Sequence, residues 1–125
     1  MSAAEKSKIL AEKACWNFVE EQAVEKKLDL VTLQPGFVLG PCLITEEFDS
    51  GDFLLKLLNN KFKGMPRLMV PTVDVRDVAL AHLRAIELEG TGGNRFVLAG
   101  RTTWLREIGE IVKEEFEPHD YKIPA

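Results

Sequence analysis

The sequence predicts an α/β protein. Three observations carry that prediction. A helix-period apolar stripe opens the chain, a nearly continuous apolar run follows at residues 28–33, and helix-period and strand-like segments then alternate to about residue 116.

The elements follow in order. From about residue 3 to residue 26, Ala11, Ala14, Cys15, Phe18, Val19 and Ala23 recur at steps of three and four, which predicts a long helix with one buried stripe packed on a sheet. Residues 28–33 (LDLVTL) read as a short parallel strand, covered on both faces and with neighbours at both edges. Pro35, Gly36, Gly40 and Pro41 form a breaker cluster. The prolines remove backbone donors and the glycines permit close backbone approach, at the carboxyl end of a strand where open α/β sheets place ligands.

Ser50 or Asp52 is expected to cap a helix through about Asn59, with Phe53, Leu54, Leu57 and Leu58 on one side. Residues 67–71 read as a short extended segment. Asp74 or Asp77 should cap the next helix, whose stripe is Val78, Ala81, His82, Ala85 and Ile86. Residues 91–94 (TGGN) are a turn by composition, and 95–98 (RFVL) a final strand. Thr102 or Thr103 then caps a helix to about Phe116 with Leu105, Ile108, Ile111, Val112 and Phe116 inward, and the proline-bearing tail 117–124 is irregular.

With 125 residues, 46% hydrophobic and 29% charged, the chain can build one domain with a real core. A formal charge of −4 gives no reason to expect a nucleic-acid partner, whose phosphates call for clustered Lys and Arg. No apolar stretch approaches the roughly 20 residues that span a bilayer, and a charged amphipathic segment follows Met1 directly, so neither a membrane span nor a signal peptide is expected and a cytoplasmic setting is. Cys15, Cys42, His82 and His119 have no metal-ligand spacing, so the cysteines read as reduced, partly buried thiols and no metal is expected.

Four strings, read together, resemble a known family: Ala4 and Lys8 one helical turn apart, EKACW at 12–16, QPGFVLGP at 34–41 and VDVRDVA at 73–79. They resemble the C-terminal half of the extended short-chain dehydrogenase/reductases (the NAD-dependent epimerase/dehydratase superfamily), especially the dihydroflavonol-reductase-like branch. The resemblance implies part of a Rossmann-like, doubly wound parallel sheet plus a small substrate-side subdomain, without the N-terminal dinucleotide-binding strands. Residues 1–125 are then a single partial domain, with 1–41 closing the Rossmann-like part and 42–125 forming the substrate-side region.

That family places Tyr-x-x-x-Lys at the head of this helix. Lys8 matches the lysine, and Ala4 occupies the tyrosine position. The tyrosine exchanges a proton with the substrate oxygen, while the lysine lowers the tyrosine pKa and holds the nicotinamide ribose; alanine can do neither. The resemblance further implies cofactor contacts at Lys8, Pro35, Gly36, Val38 and Ser50, NADP or NAD as cofactor, and a small-molecule carbonyl substrate. No G-x-G-x-x-G occurs in the sequence. The expectation is therefore a C-terminal fragment of an NAD(P)-dependent oxidoreductase, inactive as an isolated chain. The alternative is a non-catalytic remnant serving as an interaction module, with association through an exposed sheet edge.

Other polar residues have plainer readings. Lys6 and Lys13 are surface charges, and Asp74, Arg76 and Asp77 are a helix cap with an ion pair. His82 is read as an interior, hydrogen-bonded histidine, and Trp16 and Trp104 as packing residues. Residues 113–117 are a solvated helix end. Tyr121, the sole tyrosine, is too remote in sequence from Lys8 to replace the missing proton donor.

Overall fold

A helix begins at the head of the chain because two side chains close its open end. In the computed structural model, which describes residues 2–26, 28–43, 49–59, 61–62 and 64–119, Ser2 caps α1 (Ala3–Glu20). Ser2 Oγ accepts from the Glu5 amide at 3.2 Å and the Ser2 amide donates to Glu5 Oε2 at 2.6 Å, so two otherwise orphaned donors are satisfied reciprocally. The helix stops at Glu20 rather than near residue 26. A separate 3₁₀ turn holds Val24–Lys26.

Its inward face also differs from the expected stripe. Only Val19 is buried, Glu12 and Trp16 are half-buried, and Ala11, Ala14, Cys15 and Phe18 are exposed, Phe18 by 58%. Polar anchoring at Glu12, described below, sets which face turns in.

The chain divides into two compact units, each made of two segments: Met1–Gln34 with Ala81–Phe96, and Pro35–Leu80 with Val97–Ala125. Strands β1 (Thr32–Pro35) and β4 (Arg95–Leu98) form a two-stranded sheet. Thr32 donates to the Asn94 carbonyl at 3.1 Å and Gly36 to that of Leu98 at 2.9 Å; both partners advance together, as in a parallel pair. The expected strand at 28–33 is thus displaced toward its carboxyl end. Residues 28–30 lie instead against the TGGN turn: Gly93 donates to the Leu30 carbonyl at 2.8 Å, and the Asp29 carboxylate occupies the space that a Cβ on Gly92 would need. Pro35 is tolerated in β1 because Thr32 and Gly36 supply donors to β4 while Pro35 falls on the alternate, outward positions.

The second unit holds a three-stranded sheet in the order β2 (Phe37–Leu39), β3 (Met69–Asp74), β5 (Arg101–Trp104). β2 runs parallel to β3 with Val38 opposite Val73, and β5 runs antiparallel to β3 with Thr103 opposite Val70. All three strands depart from the sequence reading, β3 by running from Met69 to Asp74 where an extended segment was expected at 67–71. β2 forms inside the breaker cluster because Gly36 has no side chain: a Cβ there would overlap the Pro71 carbonyl of β3. Thr102 and Thr103 are strand residues rather than caps. Helix α4 (Leu105–Phe116) starts straight from β5 with Trp104 as its uncapped N-cap, and the Leu105 amide finds its acceptor in the Leu68 carbonyl at 2.9 Å.

Helix α2 (Asp49–Leu58) begins ahead of both expected caps, and Asp52 instead pairs with Lys56 at 2.6 Å. Helix α3 (Val75–Glu87) is capped by Asp74 as expected, Asp74 Oδ1 accepting from the Arg76 amide at 2.8 Å. Leu57, Leu105 and Ile108 form the core of this unit, with Phe53, Leu54, Phe62, Met65, Val70 and Val112 packed against them.

Three further expectations need correction or placement. His82 is exposed, because α3 turns Val78, Ala81 and Ala85 inward and leaves Ile86 85% exposed. Cys15 and Cys42 are exposed rather than partly buried. Tyr121 lies outside the described residues. No helix among the described residues is long and apolar enough to cross a membrane.

Candidate functional site

The capping box leaves positions 4 and 8 of α1 on one face of an intact helix head. The Ala4 side chain is an exposed methyl, and its carbonyl accepts from Ser7 Oγ at 2.7 Å. The Lys8 side chain is exposed and makes no hydrogen bond or ion pair with any described residue. One turn on, Glu12 is heavily engaged. Its Oε1 accepts from Arg95 Nε at 2.8 Å, Thr32 Oγ1 at 3.1 Å, Gln34 Nε2 at 3.2 Å and Trp16 Nε1 at 3.5 Å, and its Oε2 from Arg95 Nη2 at 3.4 Å. The Arg95 hydrogen bond, helped by those from Thr32 and Trp16 and opposed by burial, holds the Glu12 carboxyl below its usual range. This clasp ties α1 to β1 and β4 in the first unit. Sequence reasoning missed it, although Lys8, Glu12 and Trp16 share one helical face and Thr32 and Gln34 share one strand face.

The other expected cofactor-side residues belong to the second unit. Pro35 is exposed, Gly36 and Val38 are half-buried, and together they form the passage from β1 into β2. The Gly36 amide is committed to the Leu98 carbonyl, so this residue presents backbone surface rather than a free donor. Ser50 lies in the first turn of α2. Lys8 therefore stands in one unit, and Pro35, Gly36, Val38 and Ser50 in the other.

At the carboxyl ends of β2 and β3 the second unit opens a cleft of 420 Å³ lined by Leu39, Gly40, Thr72, Val73, Asp74, Gly100 and Arg101. Gly40 has φ +133°, and a Cβ on it would press on Val75. Asp74 is fixed at this rim by a two-pronged pair with Arg76, Nε to Oδ1 at 2.9 Å and Nη2 to Oδ2 at 2.7 Å. That guanidinium lowers the Asp74 carboxyl to about 2, which makes it a fixed anion and a helix cap rather than a proton carrier. A larger cleft of 650 Å³ in the first unit, lined by Leu30, Leu33, His82 and Ile86 among others, holds none of the motif residues.

No family model matches the sequence. Curated relatives and solved structures do. The chain is 31% identical over 125 residues to the NADPH-dependent methylglyoxal reductase GRE2 of Saccharomyces cerevisiae, covering 95% of this chain and 36% of that protein. It is 39% identical over 118 residues to cinnamoyl-CoA reductase 1 of Arabidopsis thaliana, covering 94% and 32%. The crystal structure of Gre2 from Candida albicans in complex with NADPH superposes with a TM-score of 0.75 at 32% identity, over 92% of this chain and 36% of that one. The chain thus spans about a third of the length of the relatives it matches.

Proposed function

We propose that this chain, which belongs to the extended short-chain dehydrogenase/reductases and matches their C-terminal part, supplies one wall of a site for NADPH-dependent reduction of a small carbonyl compound. Lys8 at the head of α1 carries the reading: an exposed ammonium without a partner among the described residues, at the position of the family's catalytic lysine, in a chain whose relatives are named as NADPH-dependent and cinnamoyl-CoA reductases. When bound, NADPH supplies the hydride. By the family resemblance Lys8 would donate to its ribose hydroxyls, and Pro35, Gly36, Val38 and Ser50 would be its contacts in the second unit. The cleft at the ends of β2 and β3 would face the substrate.

The residues present fit only part of such a cofactor. Lys8 suits hydroxyl acceptors, whereas no glycine-rich turn entering a helix is found in the sequence to cradle the phosphates. Ala4 has no proton to give. We therefore read the chain by itself as inactive, a cytoplasmic protein whose charge of −4 favours no nucleic-acid partner.

A chimera tests this reading. The sequence replaces the matching third of the yeast methylglyoxal reductase, with Ala4 either kept or changed to tyrosine. The tyrosine chimera is expected to oxidise NADPH with a small aldehyde, and the alanine chimera to run on the order of 10²–10⁴ more slowly. A tyrosine chimera that folds yet fails to bind NADPH removes the reading. Ala4 also favours a second one, a non-catalytic module that keeps the packing and has lost the chemistry. Calorimetric titration of the chain alone with NADPH is expected to show no binding, and equal, negligible turnover by both chimeras would select the module.

A further inference from the structure

Lys8 has two carboxylates within one helical turn, Glu5 three residues before it and Glu12 four residues after it. Either is placed to neutralise a lysine on a helix surface. Neither does. Glu5 is taken by the Ser2 amide in the capping box, and Glu12 by Arg95, Thr32, Gln34 and Trp16. Arg95 is the decisive holder, since it alone brings a full opposite charge and grips both carboxylate oxygens.

We infer that Arg95 acts as a positioning residue that keeps Glu12 turned away from Lys8, so that the Lys8 ammonium stays unpaired and available to the hydroxyl groups of a bound ligand. This rests on the proposed role of Lys8 for its purpose, but not for its physics. Without Arg95, the Glu12 carboxylate would keep only neutral donors around it and would be released toward the nearest cation on its own helix face, Lys8. A lysine so paired offers fewer free N–H groups and holds its proton more tightly. An arginine 83 positions from Glu12 thereby sets the chemistry of a lysine it does not touch.

Trace acetylation of the folded chain with acetic anhydride, read by mass spectrometry at Lys8 against Lys13 as internal reference, tests the inference. Arg95→Met is expected to lower Lys8 labelling by about twofold, the size of a helix-surface ion pair. Arg95→Met with Glu12→Gln is expected to restore it, a rescue that mere loosening of the helix would not give. A folded Arg95→Met chain with unchanged Lys8 labelling, or a double variant that stays low, overturns the inference. If Arg95→Met does not fold, Glu12→Gln alone decides: labelling of Lys8 should remain at the wild-type level, and a twofold rise would mean that Glu12 already pairs with Lys8. No cofactor takes part, so this result is independent of whether the chimeras bind NADPH.

Discussion

The two units are held together by different forces. The second has an apolar centre, with Leu57 fully covered and Leu105 and Ile108 6% exposed, ringed by six partly buried hydrophobic residues. Among its described residues the first buries a single hydrophobic side chain, Val19, and leaves Ile9, Leu10, Phe18, Leu28, Leu83 and Ile86 exposed. Its order comes from hydrogen bonds: the capping box and the Glu12 clasp. Apolar packing is non-directional and cooperative, whereas a clasp fixes geometry but contributes little net stability per bond. The unit that carries Lys8 is thus well oriented and weakly cemented.

Substitutions can break this contrast. The largest effect is expected for Leu57→Ala, which should cost about 2–5 kcal/mol in urea unfolding because the side chain is wholly enclosed. A loss below about 1 kcal/mol would deny the second unit its core. Gly36→Ala should follow at about 1–3 kcal/mol, since its new methyl meets a backbone carbonyl that cannot swing aside. Glu12→Ala should act locally: hydrogen exchange at the Thr32 and Gly93 amides is expected to quicken while the Ile108 amide keeps its protection. Equal acceleration in both places would mean that the units are not separately stabilised.

Acid should sharpen the contrast further. Glu12 and Asp74 are both held below their ordinary values, so the unfolded chain binds protons there before the folded chain does. Their contribution is complete above the ordinary carboxylate range and is lost as pH falls, for Asp74 between 3.8 and about 2. Asp74→Asn should flatten that part of the pH dependence of melting, and Glu12→Gln the part belonging to the first unit. The smallest effect is expected for Lys8→Met: with no partner to lose among the described residues, its melting temperature should match the wild type.

The sequence was legible where one signal acted alone. β4 falls on residues 95–98 as read, α4 ends at Phe116 as read, and Asp74 caps α3, because a strand between turns, an amphipathic face and a helix-starting aspartate each have a local cause. It misled where a tertiary partner decided. β2 exists because Gly36 admits the Pro71 carbonyl, β5 because Thr102 and Thr103 pair with β3, and the inward face of α1 because Arg95 captures Glu12. Of the candidate site, the motif positions were readable and the Glu12 clasp was not. Its members are scattered over 83 positions, and no periodicity links a helix glutamate to an arginine on a distant strand.

Pro35 has an effect on the outer margin of β1. Leu33 and Pro35 occupy the outward positions of that strand, and proline has no N–H. An additional chain aligning there would meet one amide and then a vacancy in the ladder. Lateral growth of the sheet at this margin is thereby limited to a short register.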